Sequence, residues 1–399
     1  MSVMEETTFQ PFTVDFSDED IADLRRRIAA TRFSEKETTT DVEQGTPLAT
    51  AKAVMEYWGN DYDFGRVQRN VNAYPNFVTE IDGLDIHFIH ARSPHEDALP
   101  IIITHGWPGS VVEQLKLIDP LTNPTKYGGS ASDAFHVVVP SMPGYGFSGK
   151  PAEAGWSTER IAKAWGVLME QLGYSRYVAS GGDWGAVVTE LMGVQEPPGL
   201  VGIHTNMAGA IPPAIDGALG TGQPLPADTP PLSEEEQKTV DQLKYVYAHV
   251  AYALMMAGRP QSLSGLADSP VALASFLLDH DRDSLILIGR IFVEGAQEGL
   301  SRDDICDNLT LFWLTNTGVS SGRLYRENKV GFFNTKGVTL PAAVSVFPDE
   351  LYSVPRSWAE QAFPNLIHYN KLPKGGHFAA WEQPESLVSE LRTGFQSLR

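Results

Sequence analysis

Six residues constrain this chain more than any others: Ser180-Gly181-Gly182-Asp183-Trp184-Gly185. They follow a short apolar run at 177–179 and precede a helical pattern at 186–192. Small residues two positions either side of a central side chain suit a sharp strand-to-helix turn, because that turn pushes the central side chain out at the end of a sheet. Aspartate, not serine, holds the central position. Read alone, Asp183 also suits a helix N-cap. The turn has a use only at the edge of a parallel sheet, so the rest of the chain must supply one.

The pattern does supply one. The apolar runs 101–103, 137–139 and 177–179 each end in a Gly-containing turn, as fully buried parallel strands do, and a helical stretch at 158–172 separates the last two. Further strands are expected at 201–204, 343–347 and 366–369, with a closing helix at 384–398. Between them, 233–315 is helical in pattern, with segments at 237–256, 270–278 and 302–313, while 209–231 is rich in Gly, Pro and Ala and reads as a long loop or domain joint. A helical block set into alternating strands and helices predicts an α/β fold, a mostly parallel sheet flanked by helices and carrying a helical lid. Upstream, Ser17 and Asp20 cap an amphipathic helix carrying Ile21, Leu24 and Ile28, Thr46-Pro47 starts a second to about Trp58, and 64–71 gives a third. About 75 residues of helix and loop are thus expected before the first strand, 77–81, which Asp82-Gly83 turns into an antiparallel hairpin with 84–90.

Two more turns carry chemistry. His105-Gly106-Trp107-Pro108-Gly109-Ser110 follows the 101–103 strand, and the backbone N–H of Trp107 with that of Trp184 is suited to form an oxyanion hole. Gly375-Gly376-His377-Phe378 follows the last strand, where a histidine faces the Asp183 turn and has the near-neutral pKa of a general base. Its orienting acid is Asp349 or Glu350, after the 343–347 strand. Five other histidines, His87, His90, His136, His204 and His249, lie inside strands or a helix and are expected to be packing or surface residues.

The charge balance narrows the partners. Lysine and arginine number 30 against 50 acidic residues, and a net charge of −20 repels nucleic-acid phosphates and anionic membrane surfaces. Cys306 is the single cysteine, so neither an internal disulfide nor a Cys-rich zinc site is available. Residues 1–10 are acidic and polar where a signal peptide is basic then apolar, and no run approaches the roughly 20 apolar residues of a membrane span. The cytoplasm is the expected location.

The order Asp, acid, His, each at a strand end, is that of the α/β-hydrolase fold. In detail the chain resembles the epoxide hydrolases of that superfamily, in the branch of the microsomal and juvenile hormone enzymes and their soluble fungal and bacterial relatives. Phe12-Thr-Val, the 17–33 helix, Tyr74-Pro75-Asn76-Phe77 and Ile81-Asp-Gly-Leu-Asp-Ile-His-Phe resemble the N-terminal meander of that branch, and the 105–110 and 181–185 turns match its oxyanion and nucleophile motifs. The resemblance implies a meander at 1–76, hydrolase core at 77–210 and 321–399, and a helical lid at 211–320. It places ring-opening tyrosines at Tyr252, eight residues before Pro260, and at Tyr325 in Arg323-Leu-Tyr-Arg-Glu-Asn328. It also selects Glu350 over Asp349 as the acid. The implied reaction is hydrolysis of an epoxide to a 1,2-diol through an aspartyl ester on Asp183, with no cofactor or metal and a small epoxide as partner; a homodimer is one assembly the resemblance allows. The alternative is a haloalkane dehalogenase using the same Asp-His-acid groups. Leu254, Met255 and Met256 are expected in the lid core or along an apolar pocket.

Overall fold

The computed structural model describes residues 9–399, so most of the acidic N-terminal stretch lies outside the described residues. Nine strands form one sheet: β1 (Gln10–Phe12), β2 (Asn76–Ile81), β3 (Leu84–Ala91), β4 (Leu99–Thr104), β5 (Phe135–Pro140), β6 (Tyr177–Gly181), β7 (Leu200–Thr205), β8 (Ala342–Val346) and β9 (Leu366–Lys371). Their spatial order is β1-β2-β3-β5-β4-β6-β7-β8-β9. The first three strands join antiparallel, and everything from β5 to β9 runs parallel.

The buried strands explain themselves. Val137, Val138 and Val139 in β5, like Ile101 and Ile102 in β4, are wholly buried, and each such side chain contributes about 1.5–3 kcal/mol on leaving water. Both faces of the parallel part are covered, which is why these strands are apolar runs rather than alternating ones. Sixteen α-helices surround the sheet. Three precede β2: α1 (Asp18–Ala29), α2 (Leu48–Glu56) and α3 (Gly65–Asn72). The core adds α4 (Val111–Thr122), α5 (Thr158–Gln171) and α6 (Trp184–Gln195). After β7 come α7 (Pro213–Gly220), α8 (Glu234–His249), α9 (Ala251–Gly258), α10 (Pro270–Leu278), α11 (Arg282–Gly289), α12 (Arg302–Leu314) and α13 (Gly318–Glu327). The last are α14 (Arg356–Ala362), α15 (Ala379–Glu382) and α16 (Pro384–Gly394). Two helix pairs, α5 with α6 and α4 with α16, pack on the sheet. Helix α6 is buried on every face from Trp184 to Gly193, the mark of a core helix.

Several local expectations change. A short strand, β1, precedes the hairpin and pairs Gln10 with Val78 and Phe12 with Asn76. Three residues around Pro11 show no alternation, and proline is tolerated there because β1 is an edge strand. The 209–231 tract contains α7, started by Pro213 at its first position, where the missing N–H costs nothing. The expected helix 237–256 is two: Ser233 caps α8 with a capping box, and Val250 (φ −80°, ψ 45°) separates α8 from α9 without glycine or proline to announce it. Helix α11 follows Asp281, whose side chain accepts from Ser284 N–H. The division at 320/321 falls inside α13. Of the three apolar residues at 254–256 only Met256 is core; Leu254 and Met255 are 69% and 44% exposed. Met256 packs where a Cβ at Gly322 would lie 2.7 Å from its sulfur, so α9 and α13 approach closely. Among the described residues no helix is long and apolar enough to cross a membrane.

Candidate active site

The β6–α6 turn is built around Asp183, which has φ 50° and ψ −128°. Positive φ in a residue with a Cβ costs on the order of 1–3 kcal/mol and persists only where the surroundings enforce it. Here they do. Parallel β4 and β7 clamp β6 from both sides, and α6 is buried behind it. Glycine is required at 185, since a Cβ there would strike the Thr104 carbonyl, and at 106, where one would overlap the Asp183 side chain. Asp183 is 5% exposed, and its Oδ1 accepts from the Trp107 N–H at 2.7 Å. The Trp184 N–H is the first of α6 and stands outside the helical ladder. The 105–110 turn is tied to the lid side by Asn308, which donates to the Pro108 carbonyl and accepts from Ser110 Oγ, both at 2.7 Å.

His377 lies beyond β9 and Glu350 beyond β8. His377 Nδ1 is 2.6 Å from Glu350 Oε1, and its Nε2 is 3.7 Å from Asp183 Oδ2. Glu350 is 5% exposed and accepts from the Leu351 N–H, whereas Asp349 is exposed and donates its backbone N–H to the Gly375 carbonyl, joining the two loops. Burial opposes charge on His377, but the Glu350 carboxylate and then Asp183 outweigh it and raise its pKa to about 10.

The lid supplies two phenols. Tyr252 in α9 stacks on Trp107, with ring centroids 5.0 Å apart and planes 18° apart. Tyr325 in α13 stands perpendicular to Trp184 at 4.8 Å and to Trp107 at 5.8 Å, and the two tyrosine rings are 6.2 Å apart. Burial first, with the Asp183 charge adding to it, pushes both well above the usual tyrosine range, so both stay protonated donors. The structure therefore gathers Asp183, His377, Glu350, Tyr252, Tyr325 and the Trp107 and Trp184 backbone around one point. His87 and His204, by contrast, spend both ring nitrogens on core hydroxyl and amide groups.

One residue escaped the sequence reading. His280, 4% exposed between α10 and α11, stacks on His377 at 4.0 Å and places Nε2 3.9 Å from Asp183 Oδ2. Its only signal was an Asp-His-Asp triplet at a helix junction, without the flanking glycines that marked the other turns. Asp183, His280 and His377 are also the group whose donor atoms lie close enough to share a metal ion.

Comparison with known proteins shows the family. Residues 9–114 match the family model "Epoxide hydrolase N terminus", and 100–217 match "alpha/beta hydrolase fold". The chain is 46% identical over 392 residues to the "Putative epoxide hydrolase" of Stigmatella aurantiaca, covering 98% of this chain and 85% of the relative. It is 34% identical to epoxide hydrolase 1 of Oryctolagus cuniculus, over 97% of this chain and 89% of the relative. Among solved structures, juvenile hormone epoxide hydrolase of Bombyx mori superposes with a TM-score of 0.84 at 27% identity, covering 99% of this chain and 96% of that one. The Aspergillus niger epoxide hydrolase gives 0.81 at 28%, covering 99% and 97%. Sharing nearly half its residues with one relative across almost its whole length, on the α/β-hydrolase fold, the chain belongs to the epoxide hydrolase family and is an epoxide hydrolase.

Proposed function

We propose that epoxide hydrolysis proceeds here through a covalent ester on Asp183. The observation that carries this reading is the division of the carboxylate: Oδ1 is held by the Trp107 N–H, while Oδ2 is left facing His377. Oδ2 attacks one epoxide carbon as the C–O bond of the ring breaks, and Tyr252 or Tyr325 gives its proton to the departing oxygen. The phenolate recovers a proton from the His377 imidazolium. Esterification has meanwhile removed the Asp183 charge that helped hold that proton. His377 is thus neutral when it must act as base.

In the second step His377, oriented by Glu350, takes a proton from water as the hydroxide oxygen attacks the Asp183 carbonyl carbon. The negative charge collects on Oδ1, where the Trp107 and Trp184 N–H groups stabilise it. Collapse breaks the bond from carbon to Oδ2, the departing alkoxide takes the remaining proton of the added hydroxyl, the diol leaves with Oδ2, and the carboxylate and imidazolium are restored. The walls around Oδ2 are aromatic, Trp107 with Phe276 and Trp184 with Phe332, which suits an apolar substituent on the epoxide. The lid spans α7 to α13 in this reading.

The test is His377→Gln. Ring opening needs no base, so the ester should accumulate, seen as an intact-protein mass increase equal to that of the substrate. A folded variant that shows no adduct would sink the two-step scheme. Halide release from a chloroalkane by the wild-type protein, without diol formation from epoxides, would favour the dehalogenase reading instead.

A further inference from the structure

His280 and His377 are arranged alike around the same oxygen. His377 Nδ1 is 2.6 Å from Glu350, and His280 Nδ1 is 3.0 Å from Asp281. A ring nitrogen that close to a carboxylate carries the hydrogen, which leaves a lone pair on each neutral ring's Nε2. Those two atoms are 3.7 Å and 3.9 Å from Asp183 Oδ2, and the three mutually approach within 4.8 Å. His280 Nε2 is buried and has no hydrogen-bond partner among the described residues.

A carboxylate behind each imidazole is the outer-shell arrangement that orients metal-binding histidines. Two imidazoles and one carboxylate with a fourth position open suit Zn²⁺, whose bonds to N and O are about 2.0–2.2 Å; hard cations such as Mg²⁺ prefer all-oxygen sites. Three carboxylates, Asp183, Glu350 and Asp281, surround the two rings and favour a cation, and an ion bound at His377 Nε2 takes the place of the proton there. A cleft of about 170 Å³, whose lining includes Asp281, Asp283, Asp349 and Glu350 with Arg282 among them, lies behind the cluster, and a second of about 360 Å³ includes His280, Asp281 and Arg282 in its wall.

We propose that Asp183 Oδ2, His280 Nε2 and His377 Nε2 form an inhibitory site for a transition-metal ion of the Zn²⁺ class, which on binding occupies nucleophile and base together. Binding rests on geometry alone; inhibition rests also on the catalytic reading of Asp183. The ion is an antagonist of the ester chemistry proposed above.

The full-length protein, first dialysed against a chelator, is titrated with Co²⁺ for its visible four-coordinate absorption and with Zn²⁺ by equilibrium dialysis. One equivalent per chain is expected. Affinity should fall about tenfold or more in His280→Ala and in the bulk-preserving His280→Gln, and about 10- to 100-fold in Asp281→Asn, which loses the charge holding Nδ1. Circular dichroism identifies any variant that fails to fold. Absence of stoichiometric binding to the wild type, or unchanged affinity in folded His280 variants, would overturn the site while leaving the ester mechanism intact. Zinc bound at one equivalent with diol formation undiminished would overturn the inhibitory role and the reading of Asp183 with it.

Discussion

The two walls of the active site are held by different forces. The core wall is a strained backbone turn locked between parallel strands: Asp183 sits at positive φ, its neighbours are glycines with no room for a Cβ, and α6 behind it is buried on all sides. The lid wall hangs on side chains. Tyr252 and Tyr325 stand on helices of 8 and 10 residues and are set by ring contacts with Trp107 and Trp184, while the same α9 leaves Leu254 and Met255 exposed. The difference matches the chemistry assigned to each. Forming and breaking a covalent bond demands alignment that a near-attack geometry must supply, whereas donating a proton to a released oxygen tolerates a looser mount.

Changes to the core wall should therefore be the most severe and should separate by half-reaction from those in the lid. Asp183→Ala is expected to abolish both alkylation and turnover with the fold retained; wild-type-like diol formation would remove Asp183 as nucleophile. Glu350→Gln should slow ester hydrolysis by about 10²- to 10⁴-fold, the usual range for a disabled acid–base pair, and leave single-turnover alkylation nearly unchanged. Tyr252→Phe and Tyr325→Phe should do the opposite. Each loses about 100- to 1000-fold, or about 2.7–4 kcal/mol, in alkylation, and the double variant approaches inactivity. Rapid-quench kinetics reads both steps, and normal alkylation in the double variant would misplace the ring-opening acid.

A smaller effect should follow from pH. The His377 pKa is raised to about 10 in the free enzyme, where the charged ring is harmless, but in the proposed scheme only the neutral ring hydrolyses the ester. Acidification keeps the proton on His377, so hydrolysis should slow and ester accumulate as pH falls. Loss of alkylation before hydrolysis on acidification would contradict this order. Smallest of all, Asp349→Asn should change hydrolysis little, because its exposed carboxylate lies outside the pair; a deeper loss than in Glu350→Gln would transfer the acid's role to it.

The same contrast explains what the sequence disclosed. Buried parallel strands and glycine-bounded turns leave local signatures, so β4 to β9 were legible to within about two residues at each end, with the turns at 105–110, 181–185 and 375–378 beside them. Between Asp349 and Glu350 local pattern could not choose, since both follow one strand; burial of Glu350 beside His377 is a tertiary fact. The tyrosines emerged only through family resemblance, because a tyrosine in a helix carries no mark of its use. His280 emerged not at all, and the break at Val250 that separates α8 from the Tyr252 helix has no Gly or Pro. Such features arise where helices meet, and no spacing along one helix records them.

The central claim is that water attacks the carbonyl carbon of an Asp183 ester and never the epoxide. A single turnover in H₂¹⁸O, with enzyme in excess over epoxide, tests it directly. The account predicts ¹⁸O in the peptide containing Asp183 and an unlabelled diol, since the diol departs with Oδ2. A labelled diol over an unlabelled peptide would mean direct attack of water on the ring, and would contradict it.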